Sequence, residues 1–210
     1  MNLFRLDASI LPGVSNSAQL ADLAEAEWTA AHPHGTITRR HLGTAPLPSD
    51  AWAHATTAGF TAETERTEAQ REALALAAVL AGELQDADTV ILAVPLYNYG
   101  VSQHFKTWAD LVIAGAGPTT PLLKGTPTVL VTTLGGGYGP GTPREGWDHS
   151  TPYLRRVVGD IWQADLTLVK RELTLAASNP AMAALRDLAE EQHTEALAAA
   201  RAAGRTLAGN

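Results

Sequence analysis

Short apolar runs alternate with amphipathic stretches along this chain. Val90 to Val94 is the clearest run, an unbroken apolar and largely β-branched segment. Such a run fits a strand buried on both faces. It stops at Pro95, which cannot donate to a central ladder. Thr128 to Thr133 repeats the pattern, and weaker strand signals lie at 2–8, 36–41 and 165–175. The second of these rests on Thr36, Ile37 and Thr38 between Gly35 and Gly43 and reads as an edge strand.

Helical spacing fills the intervals. Leu20, Leu23, Ala24, Trp28 and Ala31 form a stripe after Ser15, Asn16 and Ser17. Thr67 and Gln70 make a capping box, opening a helix to about Asp86 with Ala69, Ala73, Leu76, Ala77, Leu80 and Leu84 inward. Ser102 can cap a helix carrying Phe105, Trp108, Ala109 and Val112. Ser150 and Pro152 start another, with Leu154, Val157, Val158, Ile161 and Trp162. Asn179 and Pro180 start the last, through Met182, Leu185, Leu188, Ala189 and Gln192 to about Gly204. Segments 42–64 and 113–126 read as loops, the first with a helical turn near Trp52.

Strands and helices therefore alternate five times. That order predicts an α/β sandwich of three layers, a parallel sheet with helices on both faces. Right-handed crossovers and five strands favour the order 2-1-3-4-5, with a switch point between strands one and three. Three unusual loops, 9–17, 95–100 and 133–139, follow strands one, three and four and would meet at one edge. Each also has an ordinary reading: serines capping a helix, tyrosines packing a turn, a glycine-rich surface loop. Together they predict a ligand site. Serine hydroxyls and free N–H groups at a helix start suit a phosphate. Glycines let backbone approach a flat or anionic ligand.

Composition narrows the class. With 210 residues the chain suits one domain, 1–210, and 45% hydrophobic content is globular. No apolar run approaches bilayer length, and MNLFRLDASI lacks the layout of a signal peptide. The chain has no cysteine, so disulfides, thiolate metal sites and cysteine nucleophiles are out. A cytoplasmic protein is expected. A net charge of −7 argues against a nucleic-acid partner. No phosphate-binding G-x-x-x-x-G-K-[ST] occurs, and Gly135 to Gly141 do not fit G-x-G-x-x-G. Gly13 to Ser17 lacks the closing glycine of a nucleophile elbow, and no Asp-then-His order follows. His32 and His34 have no carboxylate at ligand spacing, so no metal site is expected.

SILPGVSNSAQL, PLYNYGVSQHFKTWADLV, TTLGGGYG and STPYL together resemble the FMN-dependent NAD(P)H azoreductases and quinone reductases of flavodoxin-like fold. The resemblance spans nearly the whole chain. It implies that Ser9, Ser15, Asn16 and Ser17 hold the flavin phosphate, with Asn16 replacing a common glutamine. It implies that Pro95, Leu96, Tyr97, Asn98 and Tyr99 hold the ring, and that Thr133, Gly135 and Gly136 reach its other side. Lys106 and Asp110 also match. The implied activity is a ping-pong, two-electron reduction of planar quinone, azo or nitroaromatic acceptors by NADH or NADPH, in a homodimer with the site at its interface. Tyr138 or His149 would supply a proton or orient the acceptor.

Two regions depart from that pattern. Segment 113–126 is short and lacks an aromatic residue, and Gly159-Asp160-Ile161-Trp162 replaces Gly-Phe-x-Gly. Trp147 and His149 are candidates for the lost aromatic surface, with loop anchoring as the other role for Trp147. The altered cover leaves two further readings: tailoring of a quinone-like natural product, and a non-enzymatic FMN electron carrier.

Overall fold

Five parallel strands form one sheet in the order β2-β1-β3-β4-β5: β1 Asn2–Asp7, β2 Thr36–His41, β3 Thr89–Ala93, β4 Pro127–Thr133 and β5 Asp165–Arg171. The structure is a computed structural model and describes residues 1–209. Period-two alternation sorts the strand side chains onto two faces. Phe4, Leu6, Val90, Leu92 and Leu130 face one side, under α2 (Ala51–Ala58), α3 (Glu68–Gln85), α4 (Gln103–Ala116) and α5 (Thr151–Leu154). Leu3, Ile91, Ala93, Val129, Val131 and Val169 face the other, under α1 (Asn16–Ala31) and α6 (Arg186–Leu207). This is the three-layer arrangement and strand order expected from the alternation.

On the first side Trp108 is fully buried between Phe4, Phe105 and Trp162, whose rings lie 5.4–6.3 Å away. On the second, α1 and α6 touch backbone to backbone. A Cβ at Gly204 would stand 2.5 Å from the Ala24 carbonyl oxygen.

Several sequence expectations shift. The 42–64 connection holds a whole helix, α2, because Ala51, Ala55 and Ala58 make a buried stripe too small to stand out as apolar. The 113–126 loop starts only after Ala116: nothing breaks α4 before Gly117, at φ +97°. The helix begun at Thr151 widens into a π-helix over Arg155–Ile161, and Asp148 Oδ1, not Ser150, accepts from its first N–H groups. Strand five ends at Arg171 rather than 175, since its partner β4 ends at Thr133, opposite Arg171. The last helix opens as a 3-10 turn, Pro180–Leu185, and α6 passes Gly204 to Leu207 because Gly204 serves the contact with α1 rather than a cap. Ala31, Leu185 and Leu188 of the expected stripes are exposed.

Candidate functional site

At the carboxyl ends of the strands the chain after β1 leaves the sheet through Ala8, whose N–H is held by Ala93. Ser9 is buried. Its Oγ accepts from Leu11 N at 3.2 Å and shares a hydrogen bond with Tyr97 Oη, also 3.2 Å away. Ile10 N donates to the same phenol oxygen. Gly43 presses on this loop from behind, where a Cβ would sit 2.1 Å from the Ser9 carbonyl oxygen. The loop therefore has little room to move. It ends at Ser15, the N-cap of α1, whose Oγ accepts from Ala18 N and lies 3.1 Å from Ser17 Oγ. The N–H groups of Asn16 and Ser17, in the first turn, have no partner inside the helix.

The loop after β3 continues the sheet for one step, with Leu96 N donating to Thr133. Tyr97 and Gly100 then exchange both backbone hydrogen bonds at 2.9 Å. The two residues between them have positive φ, +47° at Asn98 and +70° at Tyr99. That is the signature of a type I′ turn. Asparagine tolerates it; tyrosine pays about 1 kcal/mol or more. The His149 N–H donates to the Tyr99 carbonyl, and the Tyr99 ring meets the edges of Trp147 and Tyr138 at 5.7 and 6.4 Å.

The loop after β4 is pinned. Carbonyls of Leu134, Gly135 and Gly136 accept from Thr174, Leu175 and Leu173. Tyr138 N donates to Glu172 Oε2 at 2.8 Å, and Lys170 clamps Glu172 and Asp148. The glycines are needed for close approach, since a Cβ on Gly135 would meet Leu175 at 2.7 Å.

These loops enclose a cavity of about 210 Å³ lined by Ser9, Ser15, Asn16, Pro95, Leu96, Tyr97, Thr133 and Gly135, together with Leu11, Val14, Thr174 and Leu175. The three loops expected to meet therefore do meet. Ser17 stands directly behind Ser15. Asn98 lines a neighbouring hollow of about 440 Å³ against the start of α4, with Tyr97 as the shared wall. Tyr99, Gly136, Tyr138 and His149 are outside both linings: the first three flank the rim, and His149 reaches it through its backbone. Lys106 and Asp110 are elsewhere. They pair with each other at 2.6 Å, and Lys106 covers the Trp52 ring, tying α4 to α2. Asp160 pairs with Arg156 at the surface, and Trp162 belongs to the core.

The chemistry of the wall suits a flat phosphate monoester. It offers five hydroxyls (Ser9, Ser15, Tyr97, Thr133 and Thr174), an amide and a helix N-terminus, and no lining residue is acidic. Ile10, Leu11, Val14, Tyr99, Trp147 and Leu175 are all exposed around it, an apolar rim for an aromatic ligand. A buried and unpartnered nitrogen, Arg171 Nε, stands near Asn16. The sequence reading missed Arg171, Glu172, Thr174 and Leu175. It carried the strand to 175, and only the end of β4 shows that the chain turns there, at Leu173 with φ +58°.

A family model described as flavodoxin-like fold matches residues 1–203. A protein of Frankia alni named FMN-dependent NADH:quinone oxidoreductase is 40% identical over 206 residues, covering 96% of this chain and 97% of its own. Among solved structures, an azoreductase from Bacillus anthracis strain Sterne superposes with a TM-score of 0.77 at 23% identity, covering 98% of this chain and 99% of its own. An FMN-dependent NADH-azoreductase from Bacillus anthracis strain Ames Ancestor, in complex with FMN, gives 0.76 at 16% identity, covering 99% and 100%. At those identities the structures speak for the fold.

Proposed function

The chain belongs to the flavodoxin-like family of the FMN-dependent NADH:quinone oxidoreductases, and we propose that it reduces planar quinone-, azo- or nitroaromatic-type acceptors with NADH or NADPH in a ping-pong cycle on FMN. The observation that carries this reading is the acid-free cavity where the loops after β1, β3 and β4 meet. FMN, when bound, supplies the two-electron redox chemistry. The protein's part is binding, orientation and charge.

Ser9, Ser15, Asn16 and Ser17, with the first-turn N–H groups of α1, hold the phosphate in this proposal. Pro95 to Tyr99 seat the ring, and the tight turn at Asn98 and Tyr99 presents an amide and an aromatic face at fixed angles. Thr133 and the backbone of Gly135, with Gly136 at the rim, would hold the group from the β4 side, where oriented N–H dipoles would favour negative charge. Tyr138 and His149 flank Tyr99 beyond the cavity wall, so a proton from either would serve the acceptor rather than the cofactor. Tyr138→Phe and His149→Gln are expected to alter kcat in an acceptor-dependent way while sparing FMN affinity.

The exposed apolar rim supports a second copy of the chain closing over the site as a homodimer, to be tested by light scattering with and without FMN. A cytoplasmic location accords with the need for NADH or NADPH. No helix among the described residues is long and apolar enough to cross a membrane.

The deciding experiment is an anaerobic titration of the FMN-loaded protein. Bleaching of the flavin by NADH or NADPH, followed by repeated turnover on a quinone, supports the proposal. Reduction only through a separate reductase would make the protein an electron carrier. Failure to take up FMN would end the reading.

A further inference from the structure

We infer that Arg171 is a phosphate-positioning residue: it grips the carbonyl oxygen of the Asn16 side chain, leaves that amide's NH2 to donate to the phosphate of FMN, and brings a cation without a counter-ion to the head of α1. The inference rests on the flavin reading above.

Arg171 is the last residue of β5. Val169, two residues earlier, is buried against α1 and α6, so alternation sends Arg171 to the same face. There its Nη1 donates to Asn16 Oδ1 at 2.9 Å. A guanidinium can only donate, so this contact fixes which end of the amide faces it. The NH2 of Asn16 is left for the cavity, whose wall Asn16 shares with Ser9 and Ser15.

The charge itself is unusual. Neighbouring Lys170 has two carboxylate partners, Asp148 and Glu172. Arg171 has no ion pair among the described residues. Burial pushes its pKa down from the ordinary arginine value, and Glu190, which is exposed, opposes this only in part. Its Nε is buried without a partner. Keeping a half-buried cation unpaired is costly, and an arriving anion relieves that cost. The guanidinium also borders an outer hollow of about 430 Å³, where the carboxylates of Asp187 and Glu190 offset the charges of Arg171 and Arg186. The cavity that Asn16 shares with Ser9 and Ser15 has no acidic residue in its lining.

The test compares FMN with riboflavin, which lacks the phosphate, by fluorescence titration of the apoprotein at several ionic strengths. A hydrogen bond to a charged group contributes about 1.5–3 kcal/mol, so Arg171→Met is expected to weaken FMN about tenfold to a hundredfold. Riboflavin affinity should change less than about threefold, and the salt dependence of FMN binding should flatten. Arg171→Lys keeps the charge and should recover the salt dependence. Asn16→Ala combined with Arg171→Met should weaken FMN by less than the product of the single effects, because the two residues act as a unit. Equal loss of both flavins would make Arg171 merely structural and overturn the inference. So would unchanged FMN affinity, full additivity with Asn16→Ala, or a raised KM for NADH alone. If the unaltered protein takes up no FMN, the functional reading itself fails; if it does and Arg171→Met binds FMN as tightly, only this inference fails.

Discussion

Tyr97 bolts two loops of the site together, and removing one oxygen tests whether that bolt matters. Its Oη lies 3.2 Å from both Ser9 Oγ and Ile10 N, across 87 to 88 residues of sequence. Tyr97→Phe deletes both hydrogen bonds and leaves the ring in place. A neutral hydrogen bond contributes about 0.5–1.5 kcal/mol net. The Ile10 N–H is exposed and recovers water, while Ser9 Oγ keeps Leu11 N as a partner. Both facts hold the total near the low end, about 1–2 kcal/mol. For a chain of this size that lowers Tm by roughly 2–8 °C.

The same energy bounds the effect on the cofactor. If the bolt holds the empty loops in their binding arrangement, FMN affinity falls by up to about 5–30-fold. The assay is calorimetry of the apoprotein beside a fluorescence titration with FMN. Ser9→Ala removes one of the two bonds and should give the smaller change in each. A drop in Tm with FMN affinity untouched would refute the preorganisation argument. No change in either would show that the phenol does not bridge the loops.

Other consequences follow from single contacts. Asn98 occupies a left-handed conformation, so Asn98→Gly should keep the turn and the stability yet weaken FMN retention, whereas Asn98→Ala should lose both; unchanged retention in the glycine variant would detach the amide from ring binding. Gly204→Val drives a side chain into the Ala24 carbonyl and should cost about 1–3 kcal/mol in urea denaturation; a neutral result would mean that α6 can shift off α1 freely. Burial alone would raise the Glu25 pKa, but Arg39 and Arg5 outweigh it and hold it below its usual 4.5. Its contribution is therefore complete above pH 4.5 and fades as pH falls through the lowered value. Glu25→Gln should cost about 1–3 kcal/mol at pH 7 and converge with the unaltered protein in acid; a constant difference down to pH 2 would contradict the pairing.

The layers of the fold were legible because their signals are local. Val90 to Val94 needs no partner to read as a buried strand, and Thr67 with Gln70 closes both arms of its capping box in the structure. Convergence of the loops after β1, β3 and β4 followed from strand order. α2 was not legible as a helix, since three buried alanines carry little hydrophobic contrast. The widening at Arg155–Ile161 likewise serves the packing of Trp162 against Trp108, a partner 54 residues away in sequence.

The contribution of the fifth strand was hidden for a deeper reason. DLTLVKRELTL has a strand-like pattern throughout, and nothing within it marks Arg171 as an end. The end is imposed by β4, which stops opposite it and turns into glycines. Past that point Leu173, Thr174 and Leu175 bond to the glycine loop's carbonyls, and Glu172 takes the Tyr138 N–H. The loop after β4 is therefore not shaped by its own glycines alone. They permit the close approach; the continuation of β5 decides where the loop goes. A substitution at Leu175, outside every motif in the sequence, is for that reason expected to move Gly135 and the cavity wall with it.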